Sequence, residues 1–263
     1  MKKSPVLLQE SSWSQLRTVQ LVASDMDGTL TQHGQFTPPL LQALAALSEM
    51  QVATLIVTGR SAGWVQAVAH YLPVAGAIAE NGGVFIAPQT GETQLLVDVP
   101  ALDQHRQQLA TMFTQLQAEF PELTPAVDNP FRLTDWTFAI GTLSPAALEH
   151  IADACRQAGW GFTYSTVQCH IRPLQQDKGV GLQRVLQQHF AHLATTDVVT
   201  VGDSPNDEGL FDASLFPLSV GVANVQHYVD RLQHLPALIT PSYEVAGFQE
   251  LVRAIAQAKR TAL

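Results

Sequence analysis

The chain has 263 residues, of which 46% are hydrophobic and 14% charged, with a formal net charge of −9. That length can bury a full core as one large domain or two smaller ones, and the composition excludes a disordered chain. An acidic balance without a long Lys/Arg run argues against nucleic acid and anionic membrane surfaces as partners, so a phosphorylated ligand would need positive charge gathered locally.

Near the N-terminus, Lys2 and Lys3 precede Pro5-Val6-Leu7-Leu8, which Gln9-Glu10 interrupts. The apolar stretch is far too short for a secretory or membrane-spanning segment, and the cytoplasm is the expected compartment. Val19-Gln20-Leu21-Val22-Ala23-Ser24 then reads as a buried strand running into Asp25-Met26-Asp27-Gly28-Thr29-Leu30. In open α/β folds ligands bind beyond the carboxyl ends of such strands. Side chains two apart in an extended segment point the same way, so Asp25 and Asp27 can converge on one small volume. Gly28 permits the sharp departure that such a loop needs.

Residues 38–50 carry a helix-start proline pair and Leu40, Leu41, Leu44 and Leu47 at helical spacing. Val52-Ala53-Thr54-Leu55-Ile56-Val57 is a β-rich run that ends in Thr58-Gly59-Arg60. The Thr58 hydroxyl and the Gly59 amide could both donate to a phosphoryl oxygen. Thr58 could instead cap the next helix, residues 61–71, a task open to Ser61 as well. With a third strand at residues 75–79, the alternation is that of a parallel βαβ sheet.

Residues 85–173 break this alternation. They read as a Gln-rich helix (101–119), a strand (136–140), a helix (145–158) and a hairpin (161–171) about Thr166, which together describe an inserted α+β domain. Asn81-Gly82-Gly83 and Arg172-Pro173 suit its hinges. Cys155 and Cys169 lack metal-ligand spacing and read as small buried side chains. The first pattern resumes with a helix over residues 177–190, a strand at 198–201, short strands at 218–222 and 238–239, and a closing amphipathic helix at 244–258. Residues 1–84 and 174–263 therefore form one α/β core. Lys178 opens its helix against the macrodipole, so some other interaction must favour it there. In Gly202-Asp203-Ser204-Pro205-Asn206-Asp207 the two aspartates flank a turn after a strand, and their hard oxygen ligands suit Mg²⁺.

The hexapeptide at Asp25 resembles the first motif of the haloacid dehalogenase-like hydrolases. Val57-Thr58-Gly59-Arg60 resembles the second, Lys178 the third and the loop at Asp203 the fourth, all in the family's order. Ala79-Glu80-Asn81-Gly82-Gly83 resembles the junction in members with the larger α/β cap, the Cof-like and sugar-phosphatase branch. The resemblance implies a Rossmann-like doubly wound core with a cap that selects substrates. It makes Asp25 the nucleophile and Asp27 the acid and base. It also implies Mg²⁺ held by Asp25, the carbonyl of Asp27 and Asp203, with Asp207 in direct or indirect contact, while Lys178 holds the transferring phosphoryl group. Candidate substrate contacts are Gly59, Arg60, Asn81 and Asn206 in the core and Arg132, His170 and Arg172 in the insert. The implied activity is a phosphatase acting on a small phosphorylated metabolite, a sugar or glycoside phosphate, through an aspartyl-phosphate. A phosphomutase of the phosphomannomutase type and a catalytically silent ligand-binding module are the alternatives. Nothing in the sequence fixes an oligomeric state.

Overall fold

A computed structural model describes residues 5–260. The first part of the chain forms β1 (Val6–Leu7), β2 (Leu21–Ser24), α1 (Pro38–Glu49), β3 (Ala53–Val57), α2 (Ala62–Tyr71), β4 (Gly76–Ala79), β5 (Val84–Ile86) and β6 (Thr93–Leu95). A second group follows, α3 (Leu102–Glu119), β7 (Trp136–Ala139), α4 (Pro145–Gln157), β8 (Trp160–Tyr164) and β9 (Gln168–Pro173). The chain ends with α5 (Lys178–His189), β10 (Val198–Gly202), β11 (Ser219–Gly221), β12 (Leu238–Ile239) and α6 (Glu244–Arg260), with short 3-10 turns between them.

Strands that are apolar on both faces need helices on both sides. Every residue of β2 and β10 is buried, and they sit side by side in a nine-stranded sheet of order β1-β12-β11-β10-β2-β3-β4-β5-β6. Alternation of side chains divides each strand between two cores. Val22, Ile56 and Val199 pack with Leu44 of α1, Val65 of α2 and Leu251 of α6. Leu21, Leu55 and Val198 face the other way, onto Leu182 and Val185 of α5. Fully burying one such side chain stabilises the fold by about 1.5–3 kcal/mol, which makes this sheet the rigid platform for the loops above it.

The second group builds an antiparallel sheet of order β7-β9-β8. Its own core joins Leu109 and Phe113 of α3, Ile151 and Cys155 of α4, and Phe138, Cys169 and Ile171 of the strands. Both cysteines are free, and burial pushes their thiols up to about 12. One sequence boundary moves. β5 and β6 continue the large sheet as antiparallel edge strands, and Leu96 packs into the α5-side core, so the second group begins after residue 96 and not at 85. A short antiparallel hairpin lies outside the βαβ rhythm, which is why its pattern reads as part of the insert. Among the described residues no helix is long and apolar enough to cross a membrane.

Candidate active site

Parallel register puts three loops at one height. Ser24 of β2 pairs with Val201 of β10 and with Ile56 of β3. Asp25, Asp203 and Thr58 therefore follow within one or two residues of aligned positions, and the Asp25 amide donates to the Val201 carbonyl at 2.9 Å. Gly28 has φ +82°, and a Cβ there would lie 2.5 Å from Asp203 Oδ2, so only glycine lets this turn pass over the aspartate.

The N-terminus of α5 brings Lys178 beneath these loops, with Asp177 capping the helix by accepting from the Gly179 amide at 2.7 Å. The Lys178 Nζ donates to Asp25 Oδ1 at 2.5 Å and to Asp207 Oδ1 at 2.7 Å, and its side chain is fully buried. Two carboxylates outweigh the adverse macrodipole, which answers why a lysine opens this helix. Burial alone would lower the Lys178 ammonium, but Asp207 and Asp25 hold it above its ordinary range.

The carboxylates differ in what they still lack. Asp207 gives its second oxygen to the amides of Asp203 and Ser204, at 2.9 and 3.1 Å. Asp25 Oδ2 and both oxygens of Asp203 are buried without a hydrogen-bond partner. Ligand atoms of Asp25, Asp203 and Asp207 lie within 4.8 Å of one another. Three ionised carboxylates against one ammonium leave a net −2. Burial, with Asp207 and Asp27 nearby, pushes Asp25 up to about 7 despite Lys178. Burial together with Asp25 and Asp207 raises Asp203 well above the usual carboxylate range. Orphaned oxygens on a crowded anionic cluster fit a hard divalent cation such as Mg²⁺, which Asp203 and Asp25 could hold, whereas Asp207 is spent on Lys178 and two amides.

A narrow cavity of about 10 Å³, room for about one water, adjoins this cluster. Asp25, Asp27, Gly59, Arg60 and Asn206 line it from the large sheet, and Ser165, Val167, Gln168 and His170 from the second group. Arg60 grips Asp27 with two bonds, Nε to Oδ2 at 2.8 Å and Nη2 to Oδ1 at 2.6 Å, so it meets a carboxylate of the protein where a substrate group was expected. The buried Thr58 hydroxyl accepts from the Arg60 amide at 3.2 Å. Asn206 donates to Asn81 Oδ1 at 3.0 Å, which joins those two candidates.

Three expectations change. Arg132, expected to face substrate, is buried and bound to Asp135 at 2.9 and 3.0 Å, Asp128 at 2.9 Å, the Gly59 carbonyl at 3.0 Å and Gln168 at 3.0 Å. Arg172 turns away from the cavity along the connection to α5, donating to the carbonyls of Pro173, Leu174 and Gln176. Ser61 sits at the N-cap of α2, but its buried hydroxyl makes no bond, and the Ala62 amide donates instead to Glu80 Oε1 at 3.0 Å.

Glu80 also accepts from the Leu133 amide at 3.0 Å, from the Thr134 amide at 2.6 Å and from the Thr134 hydroxyl at 2.8 Å, tying the second group to the Thr58 turn. Neither Glu80 nor Asp135 stood out in the sequence as a functional residue. The 128/132/135 spacing of opposite charges was a visible signal, but its meaning depends on Glu80 and His170, which are distant in the chain.

Residues 22–121 match the family described as haloacid dehalogenase-like hydrolase. A phosphoglycolate phosphatase of Methanothrix thermoacetophila is 28% identical over 209 residues, 78% of this chain and 85% of that protein. Among solved structures, protein 0175 of Thermoplasma acidophilum superposes with a TM-score of 0.73 at 16% identity, covering 90% of this chain and 98% of that one. The sucrose-phosphatase of Synechocystis, solved with sucrose and phosphate, gives a TM-score of 0.65 at 18% identity, with 92% and 98% covered.

Proposed function

We propose that the chain, whose residues 22–121 match the haloacid dehalogenase-like hydrolases, is a Mg²⁺-dependent phosphatase that hydrolyses a small phosphorylated metabolite, a sugar or glycoside phosphate, through an aspartyl-phosphate on Asp25. The observation that carries this reading is the buried pair of orphaned carboxylates, Asp25 and Asp203, beside a lysine that fixes one of them. Relatives named as phosphatases support the reaction class.

In this scheme the Asp25 carboxylate attacks phosphorus, an acyl-phosphate bond forms and the alkoxide departs. Lys178 holds Asp25 in place through Oδ1 and offsets charge that the incoming phosphoryl group would otherwise meet. Asp27 protonates the departing alkoxide, then takes a proton from the water that opens the aspartyl-phosphate. Arg60 holds Asp27 in place through both of its oxygens. Mg²⁺ held by Asp25, the Asp27 carbonyl and Asp203 would neutralise the phosphoryl oxygens. The Thr58 turn and Asn206 would bind the phosphoryl group, and the second group of elements, residues 97–173, acts as the cap. The cavity has no room for a leaving group, so the 165–168 tip of the β8–β9 hairpin must shift to admit an ester.

A phosphate-release assay over sugar phosphates, glycoside phosphates and p-nitrophenyl phosphate, with and without chelator, tests the reading. Asp25→Asn is expected to lose turnover by about three orders of magnitude or more, since it removes the nucleophile. Turnover of Asp25→Asn comparable to wild type, or full activity in exhaustively chelated enzyme, would refute the scheme.

A further inference from the structure

His170 has one ring nitrogen accounted for and one that is not. Its Nδ1 lies 2.8 Å from Asp135 Oδ2. Nε2 makes no hydrogen bond to any described residue. The residue is only 1% exposed, yet its ring lines the cavity that Asp25, Asp27 and Arg60 line. Its Cε1 is close enough to the Thr58 turn that a Cβ on Gly59 would come within 3.1 Å of it. Nε2 is not sealed off as the bare oxygens of Asp25 and Asp203 are, so a ligand in the cavity can reach it.

Asp135 cannot easily move. Its carboxylate accepts twice from Arg132 Nη1, and Arg132 is in turn anchored to Asp128 and to the Gly59 carbonyl. A fixed carboxylate on Nδ1 sets the ring plane and keeps a proton on Nδ1, which leaves the Nε2 lone pair facing the cavity in the neutral ring. Burial lowers the imidazole's affinity for a second proton, although Asp135 partly offsets this. The large sheet supplies the groups around the reacting phosphorus, whereas His170 belongs to the wall built by the second group.

We propose that His170 contacts the leaving alcohol of the phosphate ester through Nε2, accepting from a hydroxyl on it, and that Asp135 is the positioning residue for this contact. The inference rests on the phosphatase reading and deepens it. It assigns the substrate to phosphate esters whose alcohol carries a further hydroxyl, and it separates His170 from the architectural arginine beside it.

The test compares kcat/KM for the fastest of glycerol 1-phosphate, glucose 1-phosphate and glucose 6-phosphate with that for p-nitrophenyl phosphate, which has no hydroxyl to offer. His170→Asn keeps an amide near Nδ1 and deletes Nε2, while His170→Gln places an amide near Nε2. His170→Asn is expected to cost the hydroxylated ester about tenfold more than the aryl ester, the value of one good hydrogen bond. His170→Gln should recover part of that difference, and Asp135→Asn should show the same selective loss. Proportional losses on both esters, or none on either, overturn the inference. Nitrogen NMR of the wild-type imidazole gives a readout independent of any variant's folding. The Nδ1–H tautomer is expected, and Nε2–H overturns the positioning role. A wild-type enzyme silent on every ester, p-nitrophenyl phosphate included, removes the phosphatase reading and this inference with it, whereas an active wild type whose variants lose equally on both esters removes only the latter.

Discussion

Two buried charged clusters lie beside one small cavity, and they are built on opposite terms. At the seam between the two sheets, Arg132 is matched by Asp128 and Asp135, and Glu80 receives donors from three backbone amides and a hydroxyl. Above the strand ends, Asp25, Asp203 and Asp207 crowd around one Lys178, and three carboxylate oxygens have no donor at all. A folded chain bears the cost of buried charge in both places, but every carboxylate of the first cluster accepts from donors of the chain, whereas Asp25 and Asp203 keep bare oxygens. The satisfied carboxylates of the seam hold the two sheets together, and the bare ones above the strand ends, crowded on one side of a lysine, leave room for a cation.

The comparison breaks most visibly by removing a partner from the balanced cluster. Arg132→Met keeps the bulk of the side chain but leaves Asp128 and Asp135 buried without their cation. Removing one partner of a buried pair costs about 3–5 kcal/mol. Urea unfolding should show a loss of that size, with the second sheet loosened from the Thr58 turn because the bond to the Gly59 carbonyl goes too. A loss below about 1 kcal/mol would mean that the seam is not held by this arginine.

The two clusters were unequally legible in the sequence, for physical reasons. Asp25, Asp27, Thr58 and Asp203 each end a buried strand, and the alternation of apolar residues that reveals the strand also locates the loop. Lys178 was visible because it sits where the helix dipole disfavours it. The seam depends instead on contacts between distant residues, 53 apart for Glu80 and Leu133 and 35 apart for Asp135 and His170. Charged residues in loops are ordinarily solvated, so nothing local distinguishes Arg132 buried in a pair from Arg132 facing a substrate. The β5–β6 hairpin escaped for a similar reason, because an edge hairpin's membership in a sheet is a tertiary fact.

A smaller effect sets Asp25 and Asp203 apart from Asp135 by sign. Asp25, pushed up to about 7, and Asp203, also raised, bind protons more tightly in the folded chain than the ordinary 3.8. In chelator, their contribution to stability is therefore fully present below about pH 4 and is lost as the pH rises to about 7. Asp135 behaves oppositely: burial would raise it, but Arg132 and His170 hold it below 3.8, so its contribution is present above that value and lost as the pH falls through its folded value. Unfolding in chelator should grow harder as the pH drops from about 7.5 to 5, and Asp203→Asn should flatten that trend. Mg²⁺ at a hundredfold excess over its dissociation constant should stabilise wild type by about 2.7 kcal/mol at neutral pH and leave Asp203→Asn nearly unmoved. A cation-induced shift of equal size in both proteins would place the ion elsewhere.

The smallest expected effect tests how far the seam cluster reaches. Replacing a serine N-cap by alanine ordinarily costs about 0.5–2 kcal/mol, because a helix amide loses its acceptor. At α2 that amide belongs to Ala62, and its acceptor is Glu80 Oε1, while the Ser61 hydroxyl is buried with no partner of its own. Ser61→Ala should therefore change stability by less than about 0.5 kcal/mol, since deleting an unpaired buried hydroxyl removes a desolvation cost along with any benefit. Glu80→Gln should cost more than about 1 kcal/mol, because an amide nitrogen replaces one oxygen that now receives only donors. Both variants are read by the same urea titration. If Ser61→Ala proves the more damaging, the helix is capped locally in solution, and the carboxylate that ties the second sheet to the Thr58 turn does not also hold the start of α2.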